Sequence, residues 1–597
     1  MVESRKSQKI PRSLRPIFIG LVLAVCSWGC SSQRDVTTPV PRVASVEVSP
    51  SNVTLRPGTT VTLVATVKDQ DGRALSDKPV TWASSSLTRA DVSNTGLVSA
   101  RDTGAATITA TSDGKSGNAE VNVIRTPVAT VSITPQQTLV RDGSTAQLTA
   151  ITLDSAGDTL SGRVMNWTSL DPTTVQISQT GLATSVRPGS ANVTATSEGK
   201  TGSARLRVVV DFATISAGGA HTCATSTIGR TYCWGNNQDG QLGNGLMTAG
   251  SRGDSFPVPT VAQVAFESVA AGSDSHTCAL SALHTAYCWG TNDYGKLGIG
   301  SSSPDQCTPS LFPCSTRPMQ VVTGIAFSQI TAGGNHTCAI GNEVGYCWGY
   351  NASGQLGLGT TVGPEDCGGV PCSTMPAPVI GGLSFALITA GALHTCGLTT
   401  GGIAYCWGRN DRGELGDSTL IDKSAPTPVA GNLSFSMLSA GDEFTCGVTV
   451  AGALYCWGWD AVGQLGDSAG AGTSSIPIRV SSNLTFANVT TGIYHACAVT
   501  TIGAGYCWGV NADGQGGYDP SGSGTVSRKP LLVGGGLTFQ TIAAGGYHTC
   551  GLTTTGTAYC WGSVKDGQIG NGSTRGPDTC SSGFACALLP SKVLNQP

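Results

Sequence analysis

The sequence predicts an all-β protein, made of two tandem Ig-like β-sandwiches followed by a seven-bladed β-propeller. Three observations predict it: abundant turn-forming residues, a segment duplicated at an offset of 85 residues, and a unit that recurs seven times. The 597 residues include 81 Gly and 29 Pro, and only 12% are charged, about half of what is usual in a soluble domain. This balance favours short strands and turns over helices. The net charge of -3 argues against a nucleic-acid partner, because binding to phosphates relies on clustered Lys and Arg residues.

The first 30 residues are predicted to be an export signal. Five Lys and Arg residues precede the apolar run IFIGLVLAV at 17–25, which is too short to cross a bilayer. The segment resembles a bacterial lipoprotein signal, with Gly29 directly before Cys30, and the resemblance implies lipidation of Cys30 ahead of a polar tether at 31–42. Ordinary cleavage and release is the alternative. We expect an exported protein, either secreted or anchored by lipid at the cell surface or outer membrane.

Residues 43–125 and 126–210 are predicted to form two β-sandwich domains. Trp82 recurs as Trp167, and stretches such as TVTLVATV alternate apolar and polar residues between turn clusters. The pair resembles bacterial Ig-like domains of group 2 through TGLVSA and its counterpart TGLATS. We interpret both tryptophans as core residues and DQDG at 69–72 as a plain turn, because it lacks the spaced carboxylates of a calcium loop. The two domains are expected to act as a stalk.

The rest of the chain, 211–597, is predicted to be the propeller. A period near 50 residues with several short strands per unit is typical of propeller blades. The AGxxHTC, CWG and GQLG segments resemble the regulator of chromosome condensation repeat family, and this resemblance covers about two thirds of the chain. The final strand at 590–596 has no further unit after it, so we expect it to join the first blade. The units begin at Phe212, Phe266, Phe327, Phe385, Phe435, Phe486 and Phe539.

The twenty cysteines after residue 222 fall into ten close pairs, which are predicted to be disulfides because an exported chain meets oxidising conditions. A zinc site is disfavoured because blades would hold successive pairs apart. We expect no metal and no other cofactor. Seven pairs join HTC to YCWG within one unit: Cys223 with Cys233, Cys278 with Cys288, Cys338 with Cys347, Cys396 with Cys406, Cys446 with Cys456, Cys497 with Cys507, and Cys550 with Cys560. Three pairs lie in Gly, Ser and Pro-rich loops: Cys307 with Cys314, Cys367 with Cys372, and Cys580 with Cys586.

Six units carry a histidine before the Thr-Cys of the motif, and the fifth has Phe444 there. A ring of histidines could suggest a metal site or general bases. Metal ligands must converge within about 2.1 Å of one ion, which equivalent positions in separate blades cannot do. We therefore predict buried, hydrogen-bonded packing residues: His221, His276, His336, His394, His495 and His548.

The loops after GQLG vary in length, and variable loops on a rigid scaffold are where recognition tends to lie. Blades two, three and seven carry the extra disulfide loops and blade one a long Cys-free loop, so we expect one arc of four long loops on one face. This arc is predicted to bind a macromolecule; tolerated insertions are the alternative. Arg252, Gly253 and Asp254 spell the tripeptide that animal integrins read, and we treat it as a weak candidate because chance explains so short a match.

The favoured function is a monomeric cell-surface binding or adhesion scaffold that grips an extracellular protein or glycan. An inhibitor of an extracellular enzyme is an alternative, because another secreted propeller of the resembled family inhibits a β-lactamase. The resemblance also implies guanine nucleotide exchange, which export and the lack of a basic arm disfavour. A glycan-active enzyme would need convergent carboxylates or a nucleophile with its base, and the units show no such set. We predict no catalytic residues and no enzyme.

Overall fold

The computed structural model describes residues 40–248, 253–300, 303–307, 312–469, 472–519 and 524–596. Its regular elements are β-strands apart from one 3₁₀ turn at Asp293–Gly295, so the all-β prediction is confirmed. Cys30, the predicted signal segment and Arg252 lie outside the described residues. The chain divides into two compact units, with the boundary between Pro127 and Val128.

The first unit is a β-sandwich of nine strands. They are β1 Ser45–Ser49, β2 Asn52–Leu55, β3 Thr60–Thr62, β4 Val64–Lys68, β5 Thr81–Ser84, β6 Ala90–Val92, β7 Leu97–Ala100, β8 Gly104–Ser112 and β9 Lys115–Val123. The sheets have the orders β1-β4, β2-β9-β8-β5 and β3-β7-β6. Alternate residues of β8 and β9 point inward, and Ile108 and Val121 are fully buried in the core. Trp82 packs partly buried against that core, in agreement with its predicted role.

The second unit begins with a sandwich of the same design. Its strands are β10 Thr130–Thr134, β11 Gln137–Arg141, β12 Thr145–Gln147, β13 Thr149–Leu153, β14 Thr159–Leu160, β15 Asn166–Ser169, β16 Val175–Ile177, β17 Leu182–Ser185, β18 Gly189–Ser197 and β19 Lys200–Val209. Trp167 is buried in the core. Gly181 of the TGLATS signature has φ +80° and lies against the Trp167 ring, where an added Cβ would come within 2.9 Å of it. The signature therefore reflects a close approach that only glycine permits.

Seven sheets of four or five strands follow, each built from one unit of the chain. Blade one has β20 Phe212–Ala217, β21 His221–Ser226, β22 Thr231–Gly235 and β23 Asp254–Pro259; blade two has β24 Phe266–Ala271, β25 His276–Ser281, β26 Ala286–Thr291, β27 Asp305–Cys307 and β28 Phe312–Gln320; blade three has β29 Gln329–Ala332, β30 His336–Gly341, β31 Val344–Tyr350, β32 Glu365–Asp366 and β33 Pro371–Pro378. Blade four has β34 Phe385–Ala390, β35 His394–Thr399, β36 Ala404–Gly408 and β37 Lys423–Pro428; blade five has β38 Phe435–Ala440, β39 Phe444–Thr449, β40 Leu454–Trp459 and β41 Thr473–Arg479. Blade six has β42 Phe486–Thr491, β43 His495–Thr500, β44 Gly505–Val510 and β45 Val526–Leu532; blade seven has β46 Phe539–Ala544, β47 His548–Thr553, β48 Ala558–Ser563, β49 Asp578–Thr579 and β50 Ala585–Lys592.

Disulfides join the second strand of every blade to the third, as the spacing of HTC and YCWG predicts. These seven bonds are Cys223 with Cys233, Cys278 with Cys288, Cys338 with Cys347, Cys396 with Cys406, Cys446 with Cys456, Cys497 with Cys507, and Cys550 with Cys560. In each pair the two cysteines are direct partners in the strand register. Each blade therefore carries a covalent cross-link at its centre.

Aromatic side chains fill the space between neighbouring blades. Within blade one, the Phe212 ring centroid lies 5.9 Å from that of Trp234, and the YCWG tryptophans of all seven blades are at most 1% exposed. Trp289 Nε1 of blade two donates to the Gln241 carbonyl of blade one at 2.9 Å. Gly243 of the GQLG segment has φ +64°, and a Cβ there would lie 2.7 Å from the Trp289 ring. The tryptophan of the CWG segment therefore packs against the second glycine of the GQLG segment in the preceding blade.

The ring closes without an exchanged strand. The expectation that the last strand joins the first blade is wrong, because β50 pairs with β48 inside blade seven. Each unit supplies its four inner strands in order, so none is left over for a neighbour. Closure comes instead from packing between blade faces, where Trp234 Nε1 of blade one donates to the Gln568 carbonyl of blade seven at 2.9 Å.

Candidate binding face

One face of the propeller, called here the loop face, carries the loops that join the first strand to the second and the third to the fourth in every blade. The antiparallel order of the strands places the turns between the second and third strands on the opposite face. There the second Ig-like domain is attached: Asp142 accepts hydrogen bonds from Arg230 at 2.7 Å and from the Tyr232 hydroxyl at 2.6 Å. The Asp142 side chain is 3% exposed. The loop face therefore points away from this domain.

Hydrogen bonds between blades hold the motif histidines below the loop face. Each histidine Nε2 lies 2.7–3.1 Å from a threonine Oγ1 of the next blade, in the pairs His221–Thr277, His276–Thr337, His336–Thr395, His394–Thr445, His495–Thr549 and His548–Thr222. The threonine hydroxyl donates to a backbone carbonyl of the preceding blade, as Thr277 does to Gln241 at 2.9 Å. It therefore accepts from the imidazole, whose Nε2 carries the proton.

Burial keeps these six imidazoles neutral. It lowers the pKa of His221 to about 4 and that of the other five to about 3. Their rings take part in packing and in the threonine bond, and none faces solvent. The prediction that they are buried, hydrogen-bonded residues is confirmed.

Three loops of the loop face are stapled hairpins. The hairpin β27–β28 is closed by Cys307 with Cys314, β32–β33 by Cys367 with Cys372, and β49–β50 by Cys580 with Cys586. An acidic side chain also crosses each hairpin to accept from a backbone N–H of its last strand: Asp305 from Thr316 at 2.9 Å, Glu365 from Thr374 at 2.9 Å and Asp578 from Leu588 at 3.0 Å. The hairpins are therefore preorganised, which reduces the entropy lost when a partner binds.

A groove of about 570 Å³ opens between the stapled hairpins of blades two and three. Its walls include Tyr294, Phe312 and the carboxylates of Glu365 and Asp366. The Phe312 side chain is 52% exposed, and the Tyr294 ring packs edge-on against Tyr350 at 5.1 Å. An exposed aromatic beside acidic groups is the composition of a recognition surface rather than of a closed core.

A buried lysine, Lys296, lies next to the turn that contributes Asp293 and Tyr294 to this groove. In the other six blades a turn N–H donates to the side-chain oxygen of a Gln or Glu two residues later, as Ser353 does to Gln355 at 3.1 Å. Lys296 of blade two offers no acceptor, and its fully buried ammonium pairs with Asp274 and Asp293, each at 2.9 Å. Tyr294, whose N–H has lost that acceptor, takes a left-handed φ of +61°.

The structure describes two residues of the integrin-type tripeptide, Gly253 and Asp254. Asp254 begins the fourth strand of blade one and accepts from the Asn244 amide at 3.4 Å, and burial raises the pKa of its carboxyl. Over the described ranges, no group of three His, Cys, Asp or Glu side chains is placed to hold a metal. The same ranges contain no helix of the length and apolarity that a membrane crossing requires.

Sequence reasoning missed the aromatic and charged residues of the loop face. The available signal was departure from the repeat: Lys296 and Glu414 replace the usual Gln, and Tyr294, Tyr350 and Trp459 stand where most units have small or polar residues. A repeat pattern emphasises what its units share, so it gives no weight to the residues that differ.

Known families match most of the described chain. Residues 42–123 and 127–208 match the bacterial Ig-like domain (group 2). Two models of the regulator of chromosome condensation (RCC1) repeat match the propeller: one at 212–241, 266–296, 385–414, 438–464 and 539–568, the other at 229–280, 284–340, 346–398 and 401–448.

Curated relatives share the propeller to different extents. The ultraviolet-B receptor UVR8 of Arabidopsis thaliana is 33% identical over 373 residues, covering 62% of this chain and 68% of the receptor. The human E3 ubiquitin-protein ligase HERC2 is 30% identical over 357 residues, covering 59% of this chain. The chain spans only 6% of that ligase's length.

Solved structures show the same fold. Human WBSCR16 aligns with a TM-score of 0.52 and 19% identity, over 61% of this chain and 94% of its own. Yeast RCC1 (Prp20), in a crystal structure with Kap60, aligns with a TM-score of 0.50 and 19% identity, over 65% of this chain and 85% of its own. The repeat models match this propeller, and the alignment with UVR8 covers 68% of that receptor at 33% identity. The chain therefore belongs to the regulator of chromosome condensation repeat family, with two group 2 bacterial Ig-like domains ahead of its propeller.

Proposed function

We propose that the chain is a protein-binding scaffold of an oxidising compartment, and that its loop face grips the partner through the long loops of blades seven, one, two and three. The observation that carries this proposal is that three of those four loops are stapled hairpins on the face turned away from the second Ig-like domain. Ten disulfides suit an extracytoplasmic protein. Lipidation of Cys30 and a role in adhesion stay predictions.

The described parts of the four loops are connected to one another. Backbone hydrogen bonds tie each loop to the fourth strand of the next blade, from Gly572 to Ser255 at 2.7 Å, Gly245 to Thr316 at 2.9 Å and Gly300 to Thr374 at 3.2 Å. Such cross-links hold neighbouring loops in register. A partner would therefore meet connected loop segments, at least in the described part of the arc, rather than four independent loops.

A protein partner is favoured by the groove of blades two and three and by the solved relatives. The yeast propeller Prp20 was crystallised bound to Kap60, and binding to Gsp1p and histones is described for the same yeast protein. Those are partners of the yeast protein, and what carries over is the use of a propeller as a protein-binding scaffold. Binding rather than catalysis also agrees with six motif histidines that are buried and neutral.

Site-specific photo-crosslinking tests the proposal. A benzophenone side chain in place of Phe312 on the loop face should capture a protein from cell-envelope or culture-medium extracts. The matched control carries it in place of Leu283, which is 84% exposed in the opposite-face turn of the same blade. Equal capture of the same protein at both positions would contradict the proposal.

A loop graft provides the second test. Residues 299–314, 358–372 and 571–586 are each replaced by the short blade-four segment 417–422, which removes three whole cysteine pairs and so leaves no propeller cysteine without its partner. The graft should melt within a few degrees of the unchanged protein and lose the crosslinked partner. A folded graft that still binds this partner would place the site elsewhere.

A further inference from the structure

A strip of three aromatic side chains lies on the loop face across blades five, six and seven, outside the arc of long loops. The ring centroids of Trp459 and Tyr494 are 6.2 Å apart, and those of Tyr494 and Tyr547 are 6.1 Å apart. Tyr547 is 43% exposed. The strip borders the mouth of the central channel, which is lined there by Asp442 and Ile493.

The blade fold does not require these aromatic residues. Tyr494 and Tyr547 occupy the position before the motif histidine, where blade one has Ala220, and Trp459 follows the CWG segment, where blade one has Asn236. Blade one nevertheless forms the same four inner strands. Large half-exposed rings where small residues suffice for folding indicate a binding role.

Two carboxylates, those of Asp442 and Glu443, lie close to the Tyr494 hydroxyl, whose pKa is raised by burial and further by these two groups. Arg409 is the cation paired with Glu443, at 3.2 Å, and it is also bound by Asp411. Asp442 stands beside Glu443 at the channel mouth, and within the described ranges its carboxylate makes no side-chain hydrogen bond or ion pair. Burial, with a smaller contribution from Glu443, raises the pKa of Asp442 to about 6. A cation placed here would lower the pKa of Asp442, favour its carboxylate form and lie against the electron-rich ring faces.

The cavity at the mouth is small. The cavity is about 70 Å³, and the inner strands line it with small residues such as Ala390, Ala440 and Ala544. An ammonium suits this site because it is a compact point charge with three donors that can meet two carboxylates at once, whereas a guanidinium presents a planar fork.

We propose that the channel mouth binds the ammonium group of a lysine from a protein partner, between the carboxylates of Asp442 and Glu443 and the rings of Tyr494 and Tyr547. The inference deepens the proposed function, since it assigns the partner a lysine anchor on the same face. It uses a different set of residues from the arc of long loops. The two can therefore fail separately.

The test titrates the full protein with the peptide acetyl-Gly-Lys-Gly-amide and follows the lysine ε-methylene protons by NMR. Protons that lie over aromatic rings should shift upfield, and the shift gives a dissociation constant. The peptide with norleucine in place of lysine should not bind. Asp442→Asn with Glu443→Gln should weaken binding about tenfold, because two facing carboxylates lose their charge.

Two further variants separate the rings from general electrostatics. Tyr494→Ala with Tyr547→Ala, which copies Ala220, should abolish the upfield shift while the melting temperature stays close to that of the unchanged protein. The matched charge control is Glu267→Gln with Glu343→Gln, two exposed carboxylates away from the mouth with the same change in net charge, and it should bind normally.

Equal binding by the unchanged protein and the variant without the Asp442 and Glu443 charges, or binding of the norleucine peptide, would overturn the proposal. A third peptide has arginine in place of lysine. If it bound more tightly than the lysine peptide, the preference for an ammonium group would be overturned. The loop graft should still bind the lysine peptide. If it does so while the arc fails its own tests, the lysine site stands and the arc alone is rejected.

Discussion

Phe444 of blade five and Ala496 of blade six lie in one core cluster, at the positions where every other pair of adjacent blades sets a histidine against a threonine. Both are fully buried. The hydrogen bond is missing from this interface together with both of its partners, so neither a histidine N–H nor a threonine hydroxyl is left there without the other. Replacing both partners by apolar groups is nearly neutral, whereas removing one leaves the other to bear its desolvation.

His394→Phe should therefore destabilise the propeller by about 1 to 3 kcal/mol, because the Thr445 hydroxyl loses its donor. Adding Thr445→Ala should recover most of that loss by copying the Phe444–Ala496 interface. Chemical denaturation of the two variants measures the difference. A double variant that is no more stable than His394→Phe alone would show that the pair is not coupled.

The converse change builds a seventh bond. Phe444→His alone should destabilise the protein because it buries an imidazole opposite Ala496, and adding Ala496→Thr should restore stability through the missing hydrogen bond. The free energy of unfolding of both variants is the measurement. The prediction fails if the added threonine makes Phe444→His less stable.

Acid should destabilise the propeller through its histidines. Their folded pKa values of about 3 to 4 lie below the unfolded value of 6.5, so their contribution is complete above pH 6.5 and is lost as pH falls towards 3. Each site contributes roughly 2 kcal/mol of the loss between pH 6.5 and 5. The double variant His394→Phe with Thr445→Ala lacks one of these histidines. At pH 5 its unfolding should therefore take up about one proton fewer than that of the unchanged protein. The slope of the unfolding free energy against pH measures this number.

Glu414→Gln should stabilise the protein in alkaline but not in acidic solution. Burial raises the pKa of Glu414 to about 7 from 4.5, so the folded state favours the protonated form and loses stability as pH rises from 4.5 through 7. Gln keeps the acceptor for the Arg412 N–H, as in five other blades. The variant should gain about 3 kcal/mol at pH 8 and nothing at pH 4. Equal gains at both pH values would rule out titration of Glu414.

Lys296→Met should cost about 3 to 5 kcal/mol, because it leaves the buried carboxylate oxygen of Asp293 without its cation. Lys296→Gln should cost less, since the amide can accept from the Tyr294 N–H as glutamine does in neighbouring blades. Denaturation curves give both values. Protection of the Tyr294 amide from hydrogen exchange should rise only in the Gln variant, and no rise there would contradict our account of the left-handed turn.

Asp142→Ala should loosen the second Ig-like domain from the propeller. Its carboxylate binds both Arg230 and Tyr232, and removing it leaves the Tyr232 hydroxyl buried without an acceptor. Calorimetry should show the domain and the propeller melting as one transition in the unchanged protein and as two in the variant. Asp154→Ala, in an exposed turn of the same domain, is the control. A single transition in the Asp142 variant would show that other contacts suffice.

Much of the fold could be predicted because repetition is visible in sequence. The offset between Trp82 and Trp167 and the recurrence of HTC and YCWG predicted the domain types, the disulfides and the buried role of the histidines. The end of the chain could not be predicted in this way. Whether β50 completes its own blade or the first depends on which unit has a free edge, and that follows from strand order in space rather than from local pattern.

The sequence by itself determined the architecture, because alternation, turn residues and cysteine spacing act over a few residues and repeat in every unit. Only the tertiary structure decided which residues of different blades meet. Alternation along a strand turns His394 towards the next blade and Thr395 towards the previous one, so their partners lie about 50 to 60 residues away in the chain. The strip of Trp459, Tyr494 and Tyr547 arises in the same way, because closing a ring brings together side chains whose spacing in sequence carries no periodic signal.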